Sequence, residues 1–207
     1  MTQLKRNTWI AALCIPVILL AGACSSGSKK SSGGQTTAAA SNAPSGRATE
    51  SAPPSDIPDN QAFVTYAAPN KAFSVKVPEG WAMTTAGQAV LFTDKYNSIR
   101  IESHPAGTQP TVDSARASEL PAVKAAAQGY TPGSEKAVQR KGGPVIMLTY
   151  RADSAPNPVT NKVAVEAVER YEFWRNGTEV VLTLSAPVGS DNVDPWLKVT
   201  DSFAWTP

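Results

Sequence analysis

Hydrophobic and polar residues alternate along much of the chain after residue 60, and this two-residue period is typical of β-strands with one buried face. In residues 73–77, three apolar side chains share one face, and Ser74 and Lys76 share the other. Similar patterns predict strands at 63–66, 89–93, 98–103 and 137–139. Residues 145–150 are apolar on both faces, which is typical of a strand at the centre of a sheet that is covered on both sides.

The dipeptide Asn176-Gly177 predicts a two-residue hairpin turn between strands at 163–174 and 179–185. The turn also matches a glycosylation sequon with Thr178, but the hairpin alone explains it. The register of such a hairpin places the following residues opposite each other: Tyr171 and Leu182, Phe173 and Val180, Arg170 and Thr183, and Glu172 and Val181. One face is therefore apolar and the other is mixed, which predicts that the hairpin packs on the core with one side only.

The first helix is predicted at 111–128, where apolar residues recur at helical spacing. The hydroxyl of Thr111 can cap its N-terminus. Pro121 lacks a backbone N–H, so we expect a kink or a restart at that residue. Gly129 is a candidate for the residue that follows the helix.

A second helix is predicted at 194–203, with Asp194 as the N-cap and Pro195 in the first turn, where its missing N–H costs nothing. Its apolar side is formed by Trp196, Leu197, Thr200 and Phe203. This spacing predicts a helix that is anchored on the sheet.

The N-terminal residues show a different pattern, in which Lys5 and Arg6 precede an uncharged run at 8–23. The run is shorter than the about 20 residues that a membrane-spanning helix needs, but it fits a secretory signal peptide. It ends in Leu-Ala-Gly-Ala-Cys at 20–24, which resembles a lipobox, the site at which bacterial lipoproteins are lipidated and cut. The resemblance implies cleavage between Ala23 and Cys24 and fatty acylation (diacylglycerol, palmitate) at Cys24. The alternative is an ordinary signal peptide with a chance cysteine.

Composition divides the remaining chain into two regions. Residues 24–60 begin with the lipidated cysteine and consist mainly of Ser, Gly, Ala, Thr and Pro, with Ile57 as the single large apolar side chain. Such a segment cannot bury enough apolar surface to offset its chain entropy, which predicts a disordered tether. Thr36, Thr37 and Thr49 are candidates for O-glycosylation, although a plain spacer also explains the composition. Residues 61–207 have the length of one domain.

Charge and cysteine content narrow the function classes. Lys5 and Arg6 account for the net charge of +2, so cleavage of residues 1–23 leaves 17 basic and 17 acidic residues. A neutral chain without a basic run argues against nucleic acid, because nucleic-acid binding depends on neutralised phosphates. Cys14 lies in the signal peptide and Cys24 is the lipidation site, so the mature domain has no disulfide and no thiolate metal site.

The sequence holds few candidates for catalysis. His104, the single histidine, could act as a general base or metal ligand with Glu102, but a surface histidine at a loop entrance also fits the pattern. One imidazole without thiols cannot form the common zinc sites. The motifs of nucleophilic hydrolases, metalloproteases and phosphate-binding loops are missing from the sequence. We therefore predict no enzyme activity, no metal and no cofactor.

Residues 73–81, Phe-Ser-Val-Lys-Val-Pro-Glu-Gly-Trp, resemble the opening hairpin of PsbP-like domains. The order that follows is also similar: strands, a helix, a long Asn-Gly hairpin that ends in Leu-Thr-Leu-Ser, and a closing helix with Asp-Ser-Phe at 201–203. With the lipobox and the tether, the chain resembles the actinobacterial LpqN/LpqT-type lipoproteins. The resemblance implies an α+β fold, in which an antiparallel sheet is flanked by helices, and a binding or assembly role without a catalytic motif.

The function expected from these observations is that of a non-catalytic cell-envelope lipoprotein. It would be exported and anchored to the outer face of the cell membrane by the lipid on Cys24, and its domain would bind a protein or a wall component. The alternative is a carrier of a small apolar ligand or lipid, held between sheet and helix. A third possibility is a hydrolase that uses His104.

The contact surface for a partner is predicted at the tip of the Asn-Gly hairpin, formed by Trp174, Arg175, Asn176 and Gly177. Trp and Arg often dominate binding energy, and loops carry function more often than the scaffold does. The alternative is that Trp174 packs on a neighbouring strand. On the mixed face of the hairpin, we expect the following side chains to lie near solvent: Arg170, Glu172, Trp174, Val181 and Thr183.

Overall fold

The computed structural model describes residues 55–157 and 159–207. The predicted signal peptide, Cys24 and the tether as far as residue 54 lie outside these residues. Within the described residues the strands are long and the helices short, so the domain is richer in sheet than the predicted arrangement. No helix in the described part of the chain is long and apolar enough to cross a membrane.

Ten strands and four short helical pieces form the described domain. The strands are β1 (Phe63–Ala67), β2 (Phe73–Pro78), β3 (Ala82–Ala86), β4 (Ala89–Asp94), β5 (Asn97–Pro105), β6 (Thr131–Arg140), β7 (Gly143–Asp153), β8 (Val165–Arg175), β9 (Thr178–Pro187) and β10 (Ala204–Trp205). A helical segment between β5 and β6 consists of α1 (Val112–Ser114), a π-helical stretch (Ala115–Glu119) and α2 (Leu120–Ala126). The last helix is α3 (Val193–Asp201).

The strands form two antiparallel sheets. The larger sheet has the spatial order β3-β4-β5-β9-β8-β7-β6, and the smaller sheet has the order β1-β2-β10. Pairing of β5 with β9 joins the β3–β5 strands to the β6–β9 strands. The prediction that 145–150 is covered on both faces is confirmed, although β7 is next to the edge strand rather than at the centre.

The main hydrophobic core lies between one face of the larger sheet, the smaller sheet and α3. Its centre is an aromatic stack, in which the ring of Phe203 lies 4.0 Å from that of Phe173 and 5.5 Å from that of Phe73. Trp205 packs edge-on against Phe203 at 5.1 Å. Because Phe203 follows α3 and Trp205 lies on β10, the end of the chain fastens the two sheets together.

The opposite face of the larger sheet is covered by the helical segment, whose Ala115 packs on Ile146 and Leu148 of β7. The prediction that the β8–β9 hairpin buries one side only is therefore wrong. Glu172 and Val181, expected near solvent, are both completely buried. The physical reason is that the 111–128 helix covers the mixed face, whereas α3 and the smaller sheet cover the apolar one.

The hairpin register predicted from Asn176-Gly177 is confirmed, with Tyr171 opposite Leu182 and Arg175 opposite Thr178. Asn176 and Gly177 have φ values of 49° and 80°, the positive values that this kind of turn requires. The strands predicted at 63–66, 73–77, 89–93 and 98–103 are present with slightly longer bounds. The strand β3 was not predicted, and β6 is longer than the predicted 137–139.

The helical segment begins as predicted, because the Thr111 side chain accepts from the Ser114 N–H at 3.1 Å. Pro121 stands in the first turn of α2, directly after the π-helical stretch, so the helix restarts where a break was expected. The predicted cap of α3 is wrong: the N-cap is Asn192, and Asp194 lies within the first turn. Leu197, predicted on the apolar side, is 42% exposed.

The packed region begins before residue 61, where the tether was predicted to end. Ile57 is buried in the main core, and its N–H donates to Asn192 Oδ1 at 2.7 Å. The side chain of Asn192 also donates to Asn97 Oδ1 and to the carbonyl of Ser55. The side chain of Asn192 thus links residues 55–57 to the sheet by hydrogen bonds, and it makes no side-chain cap bond to α3.

Candidate functional site

A cluster of charged side chains lies on the larger sheet beneath the helical segment, with Arg170 of β8 at its centre. Arg170 Nη2 donates to Glu119 Oε2 at 2.9 Å, which links the π-helical stretch to the sheet. Arg170 Nε lies 3.4 Å from Glu172 Oε1, and Nη1 lies 3.8 Å from Glu102 Oε2. Glu102 also accepts from Arg100 Nη2 at 2.9 Å. Charged side chains are buried at moderate cost only when they are paired in this way.

Two carboxyl groups in this cluster are incompletely paired. Glu172 is completely buried and Glu179 is 7% exposed, yet Glu172 Oε2 and Glu179 Oε1 have no hydrogen-bond partner among the described residues. Burial raises the pKa of Glu172 to about 7, against the opposing effect of Arg170. Burial also raises the pKa of Glu179, although the charge of His104 opposes the shift. Each carboxyl group therefore has one neighbouring basic side chain, Arg170 or His104, but also one buried oxygen without a donor.

Glu172 lines two cavities on this face of the sheet. The first, which we call the acidic pocket, has a volume of about 160 Å³. It is lined by Glu119, Glu172, Glu179, Ser114 and Ser118, together with the loop that follows β5. The second, which we call the Trp174 slot, has a volume of about 360 Å³. Its walls are mainly apolar and include Pro110, Val112, Pro144, Ile146 and Trp174, with Glu172 as the acidic group.

A larger cleft, with a volume of about 570 Å³, lies beside α2 and the loop that follows β7. Its lining combines charged Arg100, Glu166 and Arg170 with apolar Val123 and Val168. Burial raises the pKa of Glu166 to about 7, against a hydrogen bond from Ser185. The three cavities therefore share the face of the sheet that the helical segment covers, and each of them contains a carboxyl group.

The four residues predicted as a partner contact lie together at the end of the β8–β9 hairpin. Arg175 and Asn176 are exposed, and Trp174 is half-buried as one wall of the Trp174 slot. The indole Nε1 of Trp174 donates to the carbonyl of Ala106 at 2.9 Å, and the Ala106 N–H donates to the Gly177 carbonyl at 2.9 Å. The tip is therefore fastened to the loop after β5. Its role as a contact surface stays a prediction.

His104 lies near the end of β5 with 44% of its side chain exposed. Its Nε2 is 3.5 Å from Glu179 Oε2 on the neighbouring strand, so its ion-pair partner is Glu179 rather than the expected Glu102. Within residues 55–157 and 159–207, no group of three or more His, Cys, Asp and Glu side chains is arranged to hold a metal ion.

Sequence reasoning missed the carboxyl groups of Glu119 and Glu179 and the burial of Glu172. A signal was present in residues 180–184, where Val181 is apolar on the face that was expected to be polar. Apolar residues on both faces indicate a strand with two covered sides. No local pattern, however, indicates that Glu119 meets Arg170, because the two are separated by 51 residues in the sequence.

No family model matches the sequence, and no curated protein matches it. Solved structures do resemble the domain. Cyanobacterial PsbP (CyanoP) from Synechocystis sp. PCC 6803 aligns over 70% of this chain and 94% of its own, with 13% sequence identity and a TM-score of 0.52. The described domain has a PsbP-like fold. At this identity the likeness concerns the fold alone.

Two further solved structures are more distant. A protein from Bacteroides thetaiotaomicron VPI-5482 aligns over 69% of this chain with 14% identity and a TM-score of 0.47, and the chain spans about half, 48%, of its length. LpqN of Mycobacterium tuberculosis, described as involved in cell envelope biogenesis, aligns over 75% of this chain and 100% of its own, with 14% identity and a TM-score of 0.40. Such low scores support no functional argument. The LpqN/LpqT-type assignment therefore stays a prediction.

Proposed function

We propose that the protein is an exported cell-envelope lipoprotein, anchored to the outer face of the membrane through Cys24, whose domain binds a partner without catalysing a reaction. The basic and apolar N-terminus and the lipobox-like residues 20–24 support the anchor. The PsbP-like fold supports a binding or assembly role, as the resemblance in the sequence implies.

The observation that carries the binding role is the Trp174 slot beside the hairpin tip. Ligand sites are typically concave and mostly apolar, with a few polar groups that fix orientation. The slot has this character, because its walls are mainly apolar and Glu172 is its acidic group. Arg175 and Asn176 are exposed at the adjoining tip, where a protein partner can reach them.

Site-specific crosslinking on intact cells tests this binding site. A photoreactive residue replaces Arg175 at the tip in one strain and Lys95 in a control strain. Lys95 is exposed in the turn between β4 and β5, and the register of β5 with β9 places that turn at the other end of the strand. We expect a discrete crosslinked product from position 175 only. Equal products from both positions, or none from 175 at normal protein levels, would refute the site.

The anchor is tested separately by detergent phase partitioning. The wild-type chain should enter the detergent phase, and Cys24→Ser, which has no sulfur to acylate, should remain in the aqueous phase. A wild-type chain that also remains aqueous would contradict lipidation but would leave the binding site unaffected. Metabolic labelling with a palmitate analogue gives the same comparison directly on the acyl chain.

The alternative of an apolar ligand held between sheet and helix has less support outside the Trp174 slot, whose walls are mainly apolar. The layer beneath α3 is filled by the aromatic stack of Phe73, Phe173 and Phe203. The larger cleft on the opposite face is lined by Arg100, Glu166 and Arg170, which suit a polar ligand better than a lipid chain.

A further inference from the structure

Two buried carboxylate oxygens without partners line one small cavity. Glu172 Oε2 and Glu179 Oε1 are both inaccessible to solvent and accept no hydrogen bond from the described residues, and both side chains line the acidic pocket. Leaving a buried acceptor unsatisfied costs about 1–3 kcal/mol, and more for a charged group. Two such groups in one place indicate a binding function, because the fold alone gains nothing from them.

The side chains around the acidic pocket include more acidic than basic groups. Glu102, Glu119, Glu172 and Glu179 are accompanied by the guanidinium groups of Arg100 and Arg170 and by the imidazole of His104. Arg100 pairs with Glu102, and His104 lies beside Glu179. Arg170 is shared among Glu102, Glu119 and Glu172. A positively charged occupant would restore the balance.

The shape of the site narrows the kind of cation. Glu172 is a common wall of the acidic pocket and of the Trp174 slot, so a charged group near Glu172 can carry a stem that extends into the slot. The slot walls are apolar, and the indole of Trp174 is held in place by its hydrogen bond to the Ala106 carbonyl. Methylene groups can pack on such a rigid aromatic wall.

We propose that the acidic pocket and the Trp174 slot together bind a primary ammonium group on an aliphatic stem. This chemistry is shared by the lysine side chain of a partner protein and by a free alkylamine. An ammonium group has three donors, and the acidic pocket is lined by three side chains with acceptor oxygens, those of Glu172, Glu179 and Ser118. The inference rests on the proposed binding function and specifies what its site recognises.

A metal ion fits the site less well than an ammonium group. Arg170 Nε lies 3.4 Å from Glu172 Oε1, so a divalent cation would be placed beside a permanent positive charge. The described residues also contain no group of three or more metal-ligating side chains with suitable geometry.

Calorimetric titration of the full chain in a non-ionic detergent tests the proposal, with n-butylammonium as the probe and n-butanol as its uncharged counterpart. We expect binding of the amine and at least tenfold weaker binding of the alcohol. Glu172→Gln and Glu179→Gln should each weaken amine binding at least tenfold. The matched control is Glu135→Gln, because Glu135 pairs with Arg116 of the same helical segment but lines neither cavity.

Several results would overturn the proposal. These are the absence of amine binding to a folded wild-type chain, equal binding of the alcohol, and unchanged affinity in both Gln variants. The indole resonance of Trp174 in NMR spectra provides a second measurement, because it should shift on amine binding in the wild type and in Glu135→Gln but not in a folded Glu172→Gln.

A second experiment distinguishes the two sources of the ammonium group. It also tests the ammonium inference independently of the proposed function. If the source is a lysine side chain, Glu172→Gln should reduce crosslinking of the partner from position 175, and n-butylammonium should compete with the partner. If the source is a free amine, the amine binds but leaves crosslinking unchanged. Crosslinking that persists in a chain that binds no amine would refute the ammonium inference while the proposed function stands.

Discussion

Replacement of the buried carboxyl group of Glu172 by the amide in Glu172→Gln should leave stability nearly unchanged at acidic pH and should stabilise the native state at alkaline pH. Gln has nearly the same shape as the protonated carboxyl group, so the variant isolates the ionisation of this single residue. Its neighbour Arg170 keeps two other partners, Glu119 and Glu102, so the helical segment remains tied to the sheet.

The magnitude follows from the difference in pKa between the native and the unfolded chain. Burial raises the pKa of Glu172 from 4.5 to about 7, so between these values the native state binds more protons than the unfolded state. The free energy of unfolding therefore falls as the pH rises through this window. One pKa unit corresponds to about 1.4 kcal/mol, so ionisation of Glu172 should cost about 3 kcal/mol above pH 7. Below pH 4.5 this contribution disappears.

Urea unfolding of wild type and Glu172→Gln between pH 4.5 and 8 measures this effect. We expect similar stability at the acidic end and a variant that is more stable than wild type by about 3 kcal/mol at pH 8. Glu79→Gln, in the exposed turn after β2, controls for the change in net charge. Wild-type and Glu172→Gln curves that run parallel across this range would show that Glu172 is not buried as a proton-binding group.

Three other substitutions test the packing. Phe203→Ala removes the ring that stacks on Phe173, so it should cost about 3–5 kcal/mol in urea unfolding. Asn192→Ala removes the acceptor of the Ile57 N–H, so it should cost about 1–3 kcal/mol and accelerate amide exchange at residues 55–57. His104→Ala should change stability by less than about 1 kcal/mol in thermal melts, because the histidine is half-exposed and its Nε2 lies as far as 3.5 Å from Glu179 Oε2. A loss of activity in cells without a loss of stability in this last variant would instead support a chemical role.

Local patterns predicted the strands and the turn of the hairpin correctly because local physics determines them. Asn176 and Gly177 adopt positive φ values, and this requirement alone fixes the register of two long strands. Similarly, Pro121 denies a hydrogen bond to the helix, and a π-helical stretch ends two residues before it, at Glu119. Features of this kind are visible in a window of a few residues.

The predictions that were wrong concern contacts between residues that are far apart in the sequence. Ile57 is surrounded by polar and small residues in the sequence, so its burial against the domain could not be predicted from composition. Arg170 and Glu172 looked like solvent-exposed residues, because charge at alternate positions of a strand usually indicates an open face. The partner of Arg170, Glu119, lies on the helical segment, and the sequence contains no local signal of that pairing. The same error hid the candidate site, because the site exists only where helix and sheet meet.

Stability and the proposed ligand are coupled through the same two carboxyl groups. A ligand that binds only the native state stabilises it. An ammonium group between Glu172 and Glu179 would supply the positive charge and the hydrogen-bond donors that these side chains need when they are ionised. Glu119, Arg170 and His104 also face this pair, and none of them supplies a donor to the two unsatisfied oxygens. Stabilisation of the wild type by n-butylammonium should therefore be larger at pH 8, where Glu172 with its pKa of about 7 is ionised, than at pH 5. A stabilisation that is equal at the two pH values would mean that the amine binds elsewhere. The two unsatisfied carboxylates would then destabilise the native state without serving a ligand.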